Sequence, residues 1–197
     1  MENSALVTRR AFGVLFVAVS AAVGAGAVLS ELAFLNSAPA YYYAAIWIGS
    51  FAAVFGLAGP RFRKAVPAIK GRMKNSVRWP TAAKALNGVS WAGPFAAIGL
   101  APAFYQYFIL LGIGLGNLST YLMMKRYSGL DNREQLLVAA ISLAALPVAF
   151  VIDSSLFAAH QDIAVMLSRM LIAASYAAGG AYALASSSSS SSSSLKK

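Results

Sequence analysis

Apolar residues in this chain arrive in long runs separated by short polar or basic breaks. The runs have the length of a membrane crossing, about 20 residues, rather than that of a soluble amphipathic helix. The first extends from Ala11 to about Leu35 and ends at Asn36-Ser37-Ala38-Pro39-Ala40. A second runs from about Tyr41 to Gly59 and is closed by Pro60, which marks a helix stop. Between Val89 and Met124 the chain is apolar almost throughout, too long for one ordinary crossing. Pro94 and Pro102 interrupt it, dividing it into segments of about 83–101 and 103–124. Two further runs cover about 135–152 and 163–185. The pattern predicts an all-α polytopic transmembrane bundle with six spans in a single domain over residues 1–185. A low-complexity serine tail follows over 186–197 and is expected to be flexible, because a serine run has nothing with which to form a packed core.

The breaks carry the charge. With the N-terminus cytoplasmic, fifteen of the sixteen Lys and Arg residues fall on the inner side. They are Arg9, Arg10, eight residues in the connection 61–88, then Lys125, Arg126, Arg133, Lys196 and Lys197. The breaks near 36–40, 101–103 and 153–162 hold none, so the positive-inside rule places both termini in the cytoplasm. A five-span alternative, in which part of 89–124 only re-enters, would put Lys125, Arg126 and Arg133 outside. Thr8-Arg9-Arg10 resembles the start of a secretory leader, but the apolar run behind it is longer than a leader core and is expected to be a retained first span.

Composition agrees. The chain is 59% hydrophobic and 11% charged, whereas a soluble domain carries roughly 25% charged residues. A net charge of +10 would point to nucleic acid in a soluble protein, but here topology accounts for it and nucleic acid is set aside. There is no cysteine and one histidine, so thiolate metal sites, cysteine nucleophiles and bis-histidine haem are excluded. No Gly-rich phosphate loop, intramembrane serine-protease turn, facing aspartate pair or acid-rich metal motif occurs. The expectation is a non-enzyme with no cofactor, no catalytic residue and no metal.

Inside lipid, helices associate by close approach at small residues. Candidate packing stripes are Ala18, Ala22 and Gly26 in the first span, Gly112 and Gly116 in the fourth, and Ala173, Ala177 and Ala181 in the sixth.

Ionisable groups at membrane depth are costly and are functional candidates by default. Glu31, near the outer end of the first span, and Arg169, about 10 Å into the sixth, fall at similar depth and are expected to pair. Asp153, His160 and Asp162 would rim the same end, with Asp162 seven residues from Arg169 on one helix face. Gln106 and Asn117 add amide groups in a stretch also rich in aromatic rings and broken by Gly93-Pro94 and Pro102. Together these residues make the candidate substrate or ion pathway.

The connection 61–88 holds Arg61, Arg63, Lys64, Lys70, Arg72, Lys74, Arg78 and Lys84 without a single acid. It suits anionic lipid head groups or an acidic partner. Its last part, about 82–90, is expected to lie on the membrane surface. Two functions fit: a small-solute or ion transporter or channel component, and a non-catalytic subunit of a larger membrane complex. The small-residue stripes also allow homo-oligomers or association with other membrane subunits. The setting is a prokaryotic cell membrane or an organellar inner membrane.

Overall fold

A computed structural model describes residues 2–76 and 79–194. Long apolar stretches satisfy every backbone N–H and C=O internally only by coiling, and the described residues are helical with no strand among them. Seven helices follow one another: α1 (Glu2–Leu35), α2 (Tyr41–Leu57), α3 (Gly59–Ser76), α4 (Thr81–Ala97), α5 (Tyr105–Ser128), α6 (Arg133–Val151) and α7 (Gln161–Ser194). A 3-10 turn, Pro102–Phe104, leads into α5, and a π-helical turn, Ile152–Leu156, extends α6.

The helix ends follow from local chemistry. Past α1, Ser37 takes a positive φ of 51°, the Asn36 amide donates to the Leu32 carbonyl at 2.7 Å, and Pro39 prevents further coiling. Gly129, at φ 65°, closes α5, and the Leu130 N–H reaches back to the Met124 carbonyl at 3.2 Å. This left-handed position suits a residue without Cβ.

Four helices are long and apolar enough to cross a membrane: Leu6–Leu35, Pro102–Ser128, Arg133–Leu156 and Gln161–Ser187. The apolar helix α2 has 17 residues, as does α4. At 1.5 Å per residue each is about 25 Å long, a little under the roughly 30 Å of hydrocarbon.

Side-chain contacts set the helix order. α1 and α7 run antiparallel over their whole apolar length. Ser20 donates to the Ala173 carbonyl at 2.7 Å, and Gly13 abuts Ala183 and Leu184. On its other side α1 receives α2, with the Trp47 ring seated on Gly26. α6 packs on both α7 and α5, and α5 packs on α4. The sequence of neighbours is therefore α2–α1–α7–α6–α5–α4. The core is formed by Phe12, Phe16 and Val23 of α1, Leu110 and Ile113 of α5, Val138, Ala145 and Ala149 of α6, and Ile172 and Ala173 of α7.

The connection 61–88 is largely helical rather than a plain loop. Arg61, Arg63, Lys64, Lys70, Arg72 and Lys74 all lie in α3, which packs on α1 and also touches α2 and α5. Ala65 is buried and Ile69 joins the core, while Arg61, Arg63, Lys70 and Lys74 are exposed, so α3 is amphipathic. Arg78 lies outside the described residues. The stretch 82–90 belongs to α4, where Asn87 and Trp91 find hydrogen-bond partners on α5. Lys84 is exposed on the same helix.

The small-residue stripes divide. Ala18, Ala22, Gly26 and Ala173 are buried, but Ala177 and Ala181 are exposed; α7 instead approaches α1 and α6 through Gly179, Gly180 and Ala183. Gly112 and Gly116 do not admit a helix backbone. They are notches that receive the Phe95 and Trp91 rings of α4. Of the serine tail, Ser186 to Ser194 continue α7. Ser186 and Ser187 return their hydroxyls to carbonyls of the preceding turn, at 2.7 Å to Tyr182 and 2.8 Å to Leu184. The serines thus extend a coil already nucleated, which is cheaper than starting one. Leu195, Lys196 and Lys197 lie outside the described residues.

Candidate functional site

Five elements meet at the end of the bundle opposite the basic helix: the C-terminal turn of α1, the first turns of α2, α5 and α7, and the π turn after α6. The antiparallel register of α1 and α7 brings Glu31 to Asp162. Their carboxyls are within hydrogen-bonding reach, with Arg169 close enough to act on Glu31 electrostatically. Glu31, Asp162 and Arg169 are each half-buried.

Arg169 is held by aromatic groups. Its Nη2 donates to the Tyr105 hydroxyl at 3.1 Å, and the guanidinium lies 5.9 Å from the Tyr105 ring centre and 5.7 Å from that of Trp47. Cation–π contacts of this kind stabilise a guanidinium without neutralising it.

Asp153 belongs to the same end of the bundle. The Tyr107 hydroxyl donates to its Oδ2 at 2.6 Å, and Gln106 Nε2 reaches the same oxygen at 3.5 Å. The backbone around Asp153 is π-helical, an irregularity that recurs at functional positions. Gln161 Nε2 contacts the Asp153 carbonyl at 3.5 Å and the Ala158 carbonyl at 3.3 Å, tying α7 to that turn. The other Asp153 oxygen and the Gln106 amide oxygen are buried without a hydrogen-bond partner, leaving two oxygen acceptors free inside the cluster.

Of the residues singled out from the sequence, Glu31, Asp162, Arg169, Asp153 and Gln106 therefore gather at one end. His160 stands beside them but is exposed, its backbone carbonyl receiving the Ala164 N–H at the start of α7. Asn117 lies elsewhere. It is buried mid-helix, where its amide donates to the Ile113 carbonyl at 2.9 Å and also meets Tyr176. Trp47 escaped the sequence reading, since nothing in a run of apolar residues distinguishes a tryptophan that stacks on an arginine from one that faces lipid.

The opposite end holds a second charged contact that the sequence did not predict. Glu134, in the first turn of α6, is fully buried, with Arg9 Nε 3.9 Å from its carboxylate. An acid in a helix's first turn is favoured by the helix dipole, and that position was the one available signal. Nearby, Arg133 Nε donates to Asp131 at 2.8 Å and holds that carboxyl below the ordinary range, and the Tyr121 hydroxyl also reaches it at 3.2 Å. No cluster of three or more His, Asp or Glu residues suited to a metal occurs among the described residues. Compared with protein-family models, curated proteins and solved structures, the chain finds no match, and what it does must be argued from its own residues.

Proposed function

We propose that the protein is a small transporter, or a channel component, that moves a cation or a proton-coupled small solute through the Glu31–Asp162–Arg169 cluster. The observation behind it is the pair of facing carboxyls on α1 and α7 within membrane-length helices, with an arginine held beside them by Trp47 and Tyr105. Two carboxyls this close accommodate a proton or a cation between them, and loss of that occupant leaves their charge to Arg169. Such an exchange between α1 and α7 would couple occupancy to movement of one helix against the other. No bond of the solute is made or broken, so the protein is not an enzyme in this reading.

The reading includes six crossings with both termini on the cytoplasmic side. α4 supports it by following α5 over its full length, from Trp79 beside Ser128 to Phe95 beside Gly112. α2 supports it by following α1 from Trp47 at Gly26 down to Val54 and Leu57 opposite Val14 and Val17.

Purified protein in liposomes, loaded with a pH-sensitive dye and challenged with proton or monovalent-cation gradients, tests the proposal. Wild type is expected to dissipate at least one gradient, and Glu31→Gln and Asp162→Asn to slow it at least tenfold while folding normally. Absence of flux with every gradient would overturn it. The alternative is a non-catalytic subunit of a membrane complex. α2 and α4, at the two ends of the helix order, carry the large exposed apolar side chains Ile48, Leu57, Leu86 and Val89 that such a subunit would offer to neighbours. Stoichiometric co-purification of other membrane proteins in mild detergent would favour it.

A further inference from the structure

A cavity of about 880 Å³ opens at the basic end of the bundle, between the N-terminal half of α1, the end of α2 and the start of α3. Its walls are Val14, Val17, Ala18, Ala21, Val54 and Leu57, with Leu184 of α7 closing one side. Among the described residues, the charged groups that line it are Arg10 of α1 and Arg61 of α3, with no acid. The volume lies in the range of small-molecule sites, about 300–1,000 Å³.

We propose that this cavity binds one anionic phospholipid, with the phosphate between Arg10 and Arg61 and an acyl chain along the α1–α2 walls. The chemistry is divided as an amphiphile requires: two guanidinium groups at one end and continuous aliphatic wall behind them. Of the other cations at this end, Arg9 faces Glu134 and Arg133 holds Asp131. Arginine presents a planar fork of donors that matches a phosphate. α3 adds exposed Arg63, Lys70 and Lys74 without an acid, so the surface that a lipid crosses to enter is positive throughout. Inorganic phosphate has no use for the aliphatic wall, and a zwitterionic lipid brings an ammonium group to two arginines. The proposal does not depend on transport.

Native mass spectrometry of the full chain in detergent, with added phosphatidylglycerol, phosphatidylcholine or inorganic phosphate, tests it. Wild type is expected to retain one phosphatidylglycerol and not phosphatidylcholine, with affinity unaffected by millimolar phosphate. Replacing both Arg10 and Arg61 by Gln should weaken phosphatidylglycerol about thirtyfold, since each surface charge contributes about fivefold. Arg63→Gln, on the same helix but outside the cavity, should leave the adduct within about twofold. Ala21→Trp fills the cavity from an exposed position, keeps both arginines, and should also abolish the adduct. Equal retention of phosphatidylcholine, equal loss in Arg63→Gln, survival of the adduct in Ala21→Trp, or displacement by inorganic phosphate would each overturn the proposal.

Discussion

The contact between Arg9 and Glu134 joins two side chains in unequal surroundings. The arginine side chain is 30% exposed and the glutamate 1%. Removing the cation takes away one of the groups facing a buried carboxylate, which is destabilising. Removing the anion leaves an arginine that still reaches water. Arg9→Gln is therefore expected to lower the melting temperature in detergent clearly, and Glu134→Gln by much less. Equal losses would show that the contact is not what stabilises this end of α1 and α6. The same inequality explains what was legible at this scale. Glu31, Asp153, Asp162 and Arg169 stand out because charges are rare in apolar runs. Glu134 hides at the edge of a polar break, where burial is decided by α1 and α7, far away in sequence. Trp47 hides for the opposite reason, as one more apolar residue among many.

Elements are joined by recurring steps. Trp79, just before α4, and Asn87, Trp91 and Phe95 down it are spaced at multiples of four, and each meets a residue a matching interval back along α5: Ser128, Thr120, Gly116 and Gly112. Thr120 is the centre of this antiparallel zipper. Its hydroxyl accepts from Asn87 Nδ2 at 2.8 Å and from Trp91 Nε1 at 3.1 Å, and donates to the Gly116 carbonyl at 2.7 Å. Interhelical hydrogen bonds in membranes average about 0.6 kcal/mol, so Thr120→Val should cost about 1 kcal/mol and Thr120→Ser almost nothing. Thermal unfolding in detergent reads both, and a stable Thr120→Val would mean that ring packing alone holds the pair. Four-residue spacing of small residues was visible in the sequence, but spacing does not say what a notch receives. Gly112 and Gly116 admit aromatic rings, and Ala177 and Ala181, on the same pattern, face outward. Residues 61–88 read as a connection because positive charge masks the apolar face of α3, where Ala65 and Ile69 turn inward.

At the scale of the molecule, the placement of α3 decides how the chain is threaded. Its first turns share a cavity with Val7 and Arg10 of α1, and the chain beyond it reaches Trp79, whose indole donates to Ser128 at the end of α5. Both of its flanks therefore lie at the end of the bundle that holds the N-terminus, the α5–α6 break and most of the positive charge. In the proposed six-crossing reading, that arrangement has α2 return across the membrane and α4 cross again. If only the four longest helices crossed, α3 would stand with the α1–α2 turn instead. Because the chain has no cysteine, single introduced cysteines report without background. Ser37→Cys and Ala159→Cys, at exposed positions of two turns at the Glu31 end, should react with a membrane-impermeant maleimide from one face of sealed vesicles. Lys70→Cys and Arg126→Cys should react only from the other. Labelling of Lys70→Cys together with Ser37→Cys would reduce the crossings to four and place the Arg10–Arg61 cavity and the Glu31 cluster in a different relation to the bilayer. Labelling with Arg126→Cys leaves the positive face of α3 against the anionic leaflet, where six crossings and a bound lipid require it.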